Sequence, residues 1–145
     1  MPNTSNQTYS VRCHCGILKA NFKISSDEIV AWKCNCSDCW MRANVHVIVP
    51  ATDFSLDLNE EHSLEDVTIL YEWGTKAAKR RFCKKCGILP WYHPRSNPDG
   101  LAITLNCVDW DSSDEKPRVR IEQFDGRNSW EDAFQSSKID EESKN

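Results

Sequence analysis

The sequence predicts a single, mostly antiparallel β domain stapled by metal. Apolar and polar residues alternate at a period of two over much of the chain, and clusters of Gly, Pro, Asn or Asp bound many of the strand-like runs. Seven of the eight cysteines fall into three tight groups, while only 39% of the 145 residues are hydrophobic. A chain of this length forms one domain and buries about 70% of its unfolded surface. With 28% charged residues and a mean hydropathy of −0.62, its core is lean. The cysteines are the expected source of the missing stability.

Taken in order, residues 1–8 are polar and read as a disordered N-terminus. A strand is expected over 9–13. In the next run Leu18, Ala20, Phe22 and Ile24 alternate with Lys19, Asn21 and Lys23, the pattern of a strand with one wet face. Further strands are expected over 29–33, 45–49, 67–73, 80–83, 101–105 and 119–124, all rich in Val, Ile or aromatics. A short helical turn is expected near Cys39. One short C-terminal helix follows, where Asn128 is placed to cap and Glu131 to close a capping box. Residues 9–134 thus make the domain, and 135–145 read as a disordered acidic tail.

Charge and hydropathy exclude several classes. The net charge is −4 and the pI about 5.5, so a binder held on nucleic acid by counterion release is not expected. The longest unbroken apolar run, Ile29 to Trp32, is far too short to span a membrane. The N-terminus has neither a basic start nor an apolar stretch, so no secretory signal is expected. A cytoplasmic location follows, or a nuclear one if the basic residues Lys76, Lys79, Arg80, Arg81, Lys84 and Lys85 act as a localisation signal. In a reducing compartment eight cysteines read as metal ligands or thiols rather than disulfides.

The spacing supports ligands. Cys13 and Cys15, and Cys34 and Cys36, are C-x-C pairs in strand-like surroundings, where Cβ atoms stand about 6–7 Å apart. A disulfide needs about 3.5–4.5 Å. Two thiolates on one tetrahedral zinc need sulfurs only about 3.8 Å apart. Gly16 and Gly87, each following a cysteine, permit the left-handed turn that aims backbone N–H groups at thiolates. Cys13, Cys15, Cys83 and Cys86 then make a closed four-thiolate site, the structural type, while Cys34, Cys36 and Cys39 supply three ligands and leave one position open, the catalytic type. Spacing alone also allows a ribbon of Cys36, Cys39, Cys83 and Cys86, which would strand three cysteines.

Cys-x-Cys-Gly at 13–16, Cys-x-Cys-Ser-x-Cys at 34–39, Phe-Cys-x-x-Cys-Gly at 82–87, Cys-Val-Asp at 107–109 and Phe-Asp-Gly-Arg-Asn at 124–128 resemble the glutathione-dependent formaldehyde-activating family. The segments 46–50 and 92–98 are similar to its eukaryotic branch named for centromere protein V. The resemblance covers 9–134. It implies a small β-tent, also called Mss4-like, with two zinc ions. It matches Cys13, Cys15, Cys83 and Cys86 to the structural ligands and Cys34, Cys36 and Cys39 to the catalytic ones. The sequence departs from many bacterial members after Cys39, where Trp40, Met41, Arg42 and Ala43 replace a Gly-containing loop.

Three thiolates on zinc make an electron-rich, weakly Lewis-acidic centre, suited to holding a fourth thiolate, since a coordinating thiol is deprotonated. That thiolate adds to an aldehyde, and the reverse step cleaves the carbon–sulfur bond. The family resemblance implies glutathione as thiol substrate, formaldehyde as aldehyde, and a carbon–sulfur lyase in the cleavage direction. The small-molecule thiol and aldehyde are the expected partners, with weak or no nucleic-acid binding. Cys107 reads as a small buried hydrophobe, Asp38 as a solvated loop carboxylate, His14 as pointing away from the metal, and His46 and His93 as packing or surface residues. Trp40 and Trp91 flank ligand groups and are candidate walls, and Arg42 and Arg95 are candidate partners for a substrate carboxylate. The rival reading is a non-catalytic zinc-stabilised module that binds chromatin or cytoskeleton through the basic run.

Overall fold

The computed structural model describes residues 7–110 and 117–142. Its strands are β1 (Gln7–Arg12), β2 (Lys19–Ile24), β3 (Glu28–Cys34), β4 (Val45–Pro50), β5 (Phe54–Leu56), β6 (Thr68–Tyr71), β7 (Lys79–Cys83), β8 (Trp91–His93), β9 (Gly100–Thr104) and β10 (Arg118–Phe124). The helices are α1 (Ser37–Met41), α2 (Leu64–Val67), α3 (Trp130–Ser137) and α4 (Ile139–Glu142). The mostly β expectation holds.

The strands form two sheets, a three-stranded one in the order β1-β2-β5 and a seven-stranded one in the order β10-β3-β4-β9-β8-β7-β6. All pairings are antiparallel except β10 on β3, which is parallel from Arg118↔Glu28 to Phe124↔Cys34. Both faces of the large sheet are covered. Val11, Phe22 and Ile24 of the small sheet share one core with Ile29, Val47 and Ile103. On the opposite face Val30, Trp32, Ile48 and Phe124 pack with Ala133 and Ile139 of the C-terminal helices. Two covered faces explain why β3 and β9 read as continuous apolar runs while β2, wet on one side, alternates.

Several expectations are corrected. The strand expected over 67–73 is shortened to Thr68–Tyr71, because Val67 ends α2, which Ser63 caps by accepting from the Asp66 N–H. β5 and β8 are three-residue strands too short to show a period. Strand β1 begins at Gln7, inside the N-terminal stretch expected to be disordered, whose residues 1–6 lie outside the described ones. The acidic tail expected from 135 is helical through Glu142, with Lys138 turning the chain in the left-handed region between α3 and α4. Ile139, 3% exposed, anchors it in the second core. Ser129, not Asn128, caps α3.

Candidate functional site

All eight cysteines are free thiols. The sulfurs of Cys13, Cys15, Cys83 and Cys86 lie within 4.8 Å of one another, and those of Cys34, Cys36 and Cys39 form a second such group. The division into four and three is therefore geometric, and the alternative ribbon is excluded. Within the first group the Cys13 and Cys15 sulfurs are 3.6 Å apart, and those of Cys15 and Cys83 are 3.5 Å apart. Both separations suit neighbouring ligands of one tetrahedral zinc.

Two turns build the four-cysteine group. Gly16 at φ 84° and Gly87 at φ 77° adopt the left-handed conformation expected of them. Those turns let the Leu18 N–H donate to Cys13 Sγ at 3.3 Å and the Cys86 N–H donate to Cys83 Sγ at 3.5 Å. Burial pushes the Cys13 thiol up to about 12, with the neighbouring Cys15 and Cys86 thiols adding to the rise. Burial also opposes ionisation of Cys86, but backbone donors at Cys15 and Ile88 and the thiols of Cys83 and Cys13 outweigh it and bring it down to about 6. Cys13 and Cys83 belong to the core between the sheets, so this group ties the small sheet to the large one.

The three-cysteine group lies on the other face, where β3 runs into α1. Cys36 caps α1 by accepting from the Cys39 N–H at 3.4 Å, and Cys34 accepts from the Cys36 N–H at 3.4 Å. Between them Asn35 reaches outward. Its amide donates to Asp125 Oδ1 at 2.9 Å and its carbonyl oxygen accepts from the Arg127 N–H at 3.0 Å. This clasp holds the turn after β10 against the thiols, where a Cβ on Gly126 would stand 2.9 Å from Cys34 Sγ. The Cys36 thiol is held low by donation from the Cys34 and Cys39 thiols, helped by the Cys39 N–H and the Arg80 charge.

The three thiols line a cavity of about 220 Å³ with walls that include Trp32, His46, Trp73, Arg80, Tyr92 and Trp130. Behind the wall, Asp38 is shared by two guanidiniums. Arg42 Nη2 and Arg80 Nε each approach its Oδ2 to 2.5 Å. The Asp38 side chain is only 11% exposed. His46 is buried against Asn44 at 3.2 Å and the Tyr92 hydroxyl at 3.4 Å. Burial, with the Arg42 and Arg80 charges, lowers its pKa to about 4, so the ring is neutral. Burial likewise keeps the Tyr92 hydroxyl protonated.

A donor set of four thiolates, two buried and two half-buried at the edge of a core, and one of three facing a cavity, fits zinc at both places. The model of the family described as glutathione-dependent formaldehyde-activating enzyme matches residues 8–126. The chain belongs to the glutathione-dependent formaldehyde-activating family. Both cysteine groups and Gly126 fall inside the match. Among solved structures, a Rhodobacter sphaeroides protein is 24% identical and superposes with a TM-score of 0.58, covering 77% of this chain and 99% of that one. This likeness shows the shared fold.

Against that family frame, the expectations for single residues divide. Asp38 is not a solvated carboxylate but a shared ion-pair partner. His46 faces the cavity, whereas His93 lies off it and approaches the Gly100 carbonyl at 3.2 Å. His14 is exposed, as expected. Trp40 is 61% exposed and Trp91 is buried against Phe54, so neither walls the site, and Trp32, Trp73 and Trp130 do so instead. Arg95 lines the cavity and stacks on Trp130 at 3.8 Å, but Arg42 is spent on Asp38. Cys107 is half-buried and joins neither thiol group. It packs on the core between the sheets, where burial and the charge of Cys86 raise its pKa. The basic run hid a site residue, because Arg80 alternates inward on β7 while Lys79 points out. Strand periodicity could have flagged it from Phe82, two residues on and packed against the second core, whereas Cys83 faces the core between the sheets.

Proposed function

We propose that the three-cysteine group is the catalytic centre of a carbon–sulfur lyase-type protein that forms, cleaves or carries thiol–aldehyde adducts, with glutathione and formaldehyde as its substrates. The observation that carries this reading is the contrast between the two groups: four thiols close on themselves at the edge of the core between the sheets, while three open on a cavity. Zinc held by Cys34, Cys36 and Cys39 would have room for a substrate thiol and keep it as thiolate.

The chain's own residues supply the rest. Trp32, Phe124 and Trp130 give the cavity apolar walls that limit water around the reacting atoms. Carbon–sulfur bond formation sends the carbonyl electron pair to oxygen, which then takes a proton, and cleavage returns it. The proton that the substrate thiol gives up on becoming thiolate balances that step, and the Tyr92 hydroxyl, oriented 3.4 Å from the unprotonated Nδ1 of neutral His46, is the wall's hydrogen-bonding group for that oxygen. The residue pattern at 46–50 and 92–98 also supports placement in the branch named for centromere protein V. Cys13, Cys15, Cys83 and Cys86 hold the structural zinc in this reading.

The test joins metal counting to exchange kinetics. Native mass spectrometry is expected to find two zinc ions per chain. Exchange NMR with ¹³C-formaldehyde and glutathione is expected to show faster adduct exchange with the protein than without it, lost in Cys39→Ser. Two zinc ions with no acceleration and no retained adduct would overturn the reading.

A further inference from the structure

The cavity's charge is one-sided. Among its lining residues the only charged side chains besides the thiols are Arg80 and Arg95, and no carboxylate lines it. Arg80 is the deeper of the two, with a side chain 7% exposed against 32% for Arg95. Its guanidinium lies between two aromatic rings, 4.9 Å from the Tyr92 ring centroid and 5.9 Å from that of Trp73. Its Nε faces Asp38 Oδ2, but the N–H is misaligned, so the contact is an ion pair without a hydrogen bond. Among the described residues nothing accepts from the terminal nitrogens of this guanidinium. Asp38 already takes two aligned donors from Arg42 at 3.2 and 2.5 Å. One carboxylate thus serves two guanidiniums and leaves a net positive charge.

A buried guanidinium cannot deprotonate and is costly to leave without acceptors. Its fork matches a carboxylate bidentately. Arg95 offers a second cation nearer solvent, its guanidinium carbon 3.8 Å from the Trp130 ring centroid and, among the described residues, ion-paired only with the exposed Glu131 at 3.0 Å. Resting on the thiol-binding reading above, we infer that Arg80 is the carboxylate-recognition residue of this site and Arg95 a second, outer one. The ligand class is a thiol bearing carboxylates on two arms, which admits glutathione and disfavours neutral or cationic thiols. Arg42 and Asp38 are positioning residues that set the Arg80 fork.

The experiment is calorimetric titration of the zinc-loaded protein with glutathione, glutathione diethyl ester and cysteamine, with zinc content and melting temperature recorded for each variant. Wild type is expected to bind glutathione about tenfold or more tightly than the diester, the range of a charge-assisted bidentate pair. Arg80→Gln is expected to collapse that ratio toward one, and Arg95→Gln to reduce it in part. Arg80→Lys keeps the charge but loses the fork, and is expected to retain an intermediate ratio. If Arg80→Gln fails to fold or to hold zinc, the Lys variant decides, and a full wild-type ratio there overturns the fork assignment. An undiminished ratio in Arg80→Gln overturns the inference outright. Equal loss of all three thiols in Arg80→Gln also overturns it, and makes Arg80 a charge-balancing partner of the thiolates. If no thiol binds wild type at all, the thiol-binding reading itself has failed, a result distinct from each of these.

Discussion

Gly126 stands so close to Cys34 that a single methyl group would collide with the ligand sulfur at 2.9 Å. The glycine is required by space, since its backbone is not in the left-handed region. Gly126→Ala is therefore expected to weaken zinc binding at the three-cysteine site by about 10–100-fold, the range seen when supporting residues are removed. The four-cysteine site keeps its metal, so zinc content after mild chelation should fall toward one ion per chain. Retention of two ions would show that Cys34 is free to give way.

Cys83→Ser and Cys39→Ser are expected to separate the two groups. Cys83 belongs to the group that joins the turn after β1 to the knuckle after β7, and structural zinc contributes on the order of 10 kcal/mol to small folds. Its loss should abolish cooperative melting. Cys34, Cys36 and Cys39 staple only a local turn, so Cys39→Ser should melt cooperatively yet lose one zinc and adduct exchange. Equal loss of fold in both would make the second group structural.

His46 gives the domain an acid-sensitive increment of stability. Its folded pKa is about 4 against 6.5 for the free side chain, so the unfolded chain binds the proton more tightly. The increment is present in full above pH 6.5 and shrinks as pH falls towards 4, by about 1.4 kcal/mol per unit at most. Denaturant titrations at pH 7 and pH 5 should show a smaller drop for His46→Gln than for wild type. Identical drops would mean that His46 does not charge on unfolding in this window.

Duplex DNA is expected to bind weakly. Arg80 is turned into the cavity, Lys79 is paired with Glu72, and the Arg81 guanidinium donates to Thr68 at 3.4 Å. Of the basic run, three exposed lysines, Lys76, Lys84 and Lys85, are left, on a chain of net charge −4. A plot of log K against log salt should have a slope no steeper than about −3. Tight, salt-resistant retention in a mobility shift would favour the chromatin-module reading.

What the sequence revealed and what it hid follow one physical division. Local chemistry was legible: the C-x-C and C-x-x-C spacings, the glycines beside Cys15 and Cys86, and the alternation of β2 each depend on neighbours within a few residues. The cavity was not, because Trp32, Arg80, Tyr92 and Trp130 come from β3, β7, β8 and α3, and only the sheet order brings them together. The parallel pairing of β10 with β3 was equally hidden, since a strand's own pattern does not encode the direction of its neighbour. Asp38 looked solvated although Arg42 stands only four residues on, because its second cation, Arg80, comes near only in the fold.

That parallel pairing also orders events as the chain is made. Every sulfur of the four-cysteine group has left the ribosome once Cys86 emerges, so the first metal has a complete cage early. The three-cysteine loop is made sooner still, yet it waits uncovered until β10 lies down beside β3 and swings Asp125 and Gly126 onto it. At about 5–20 residues per second that wait lasts several seconds. During it the nascent loop is three reactive thiols in open water, exposed to any oxidant or competing metal before the last strand shelters them.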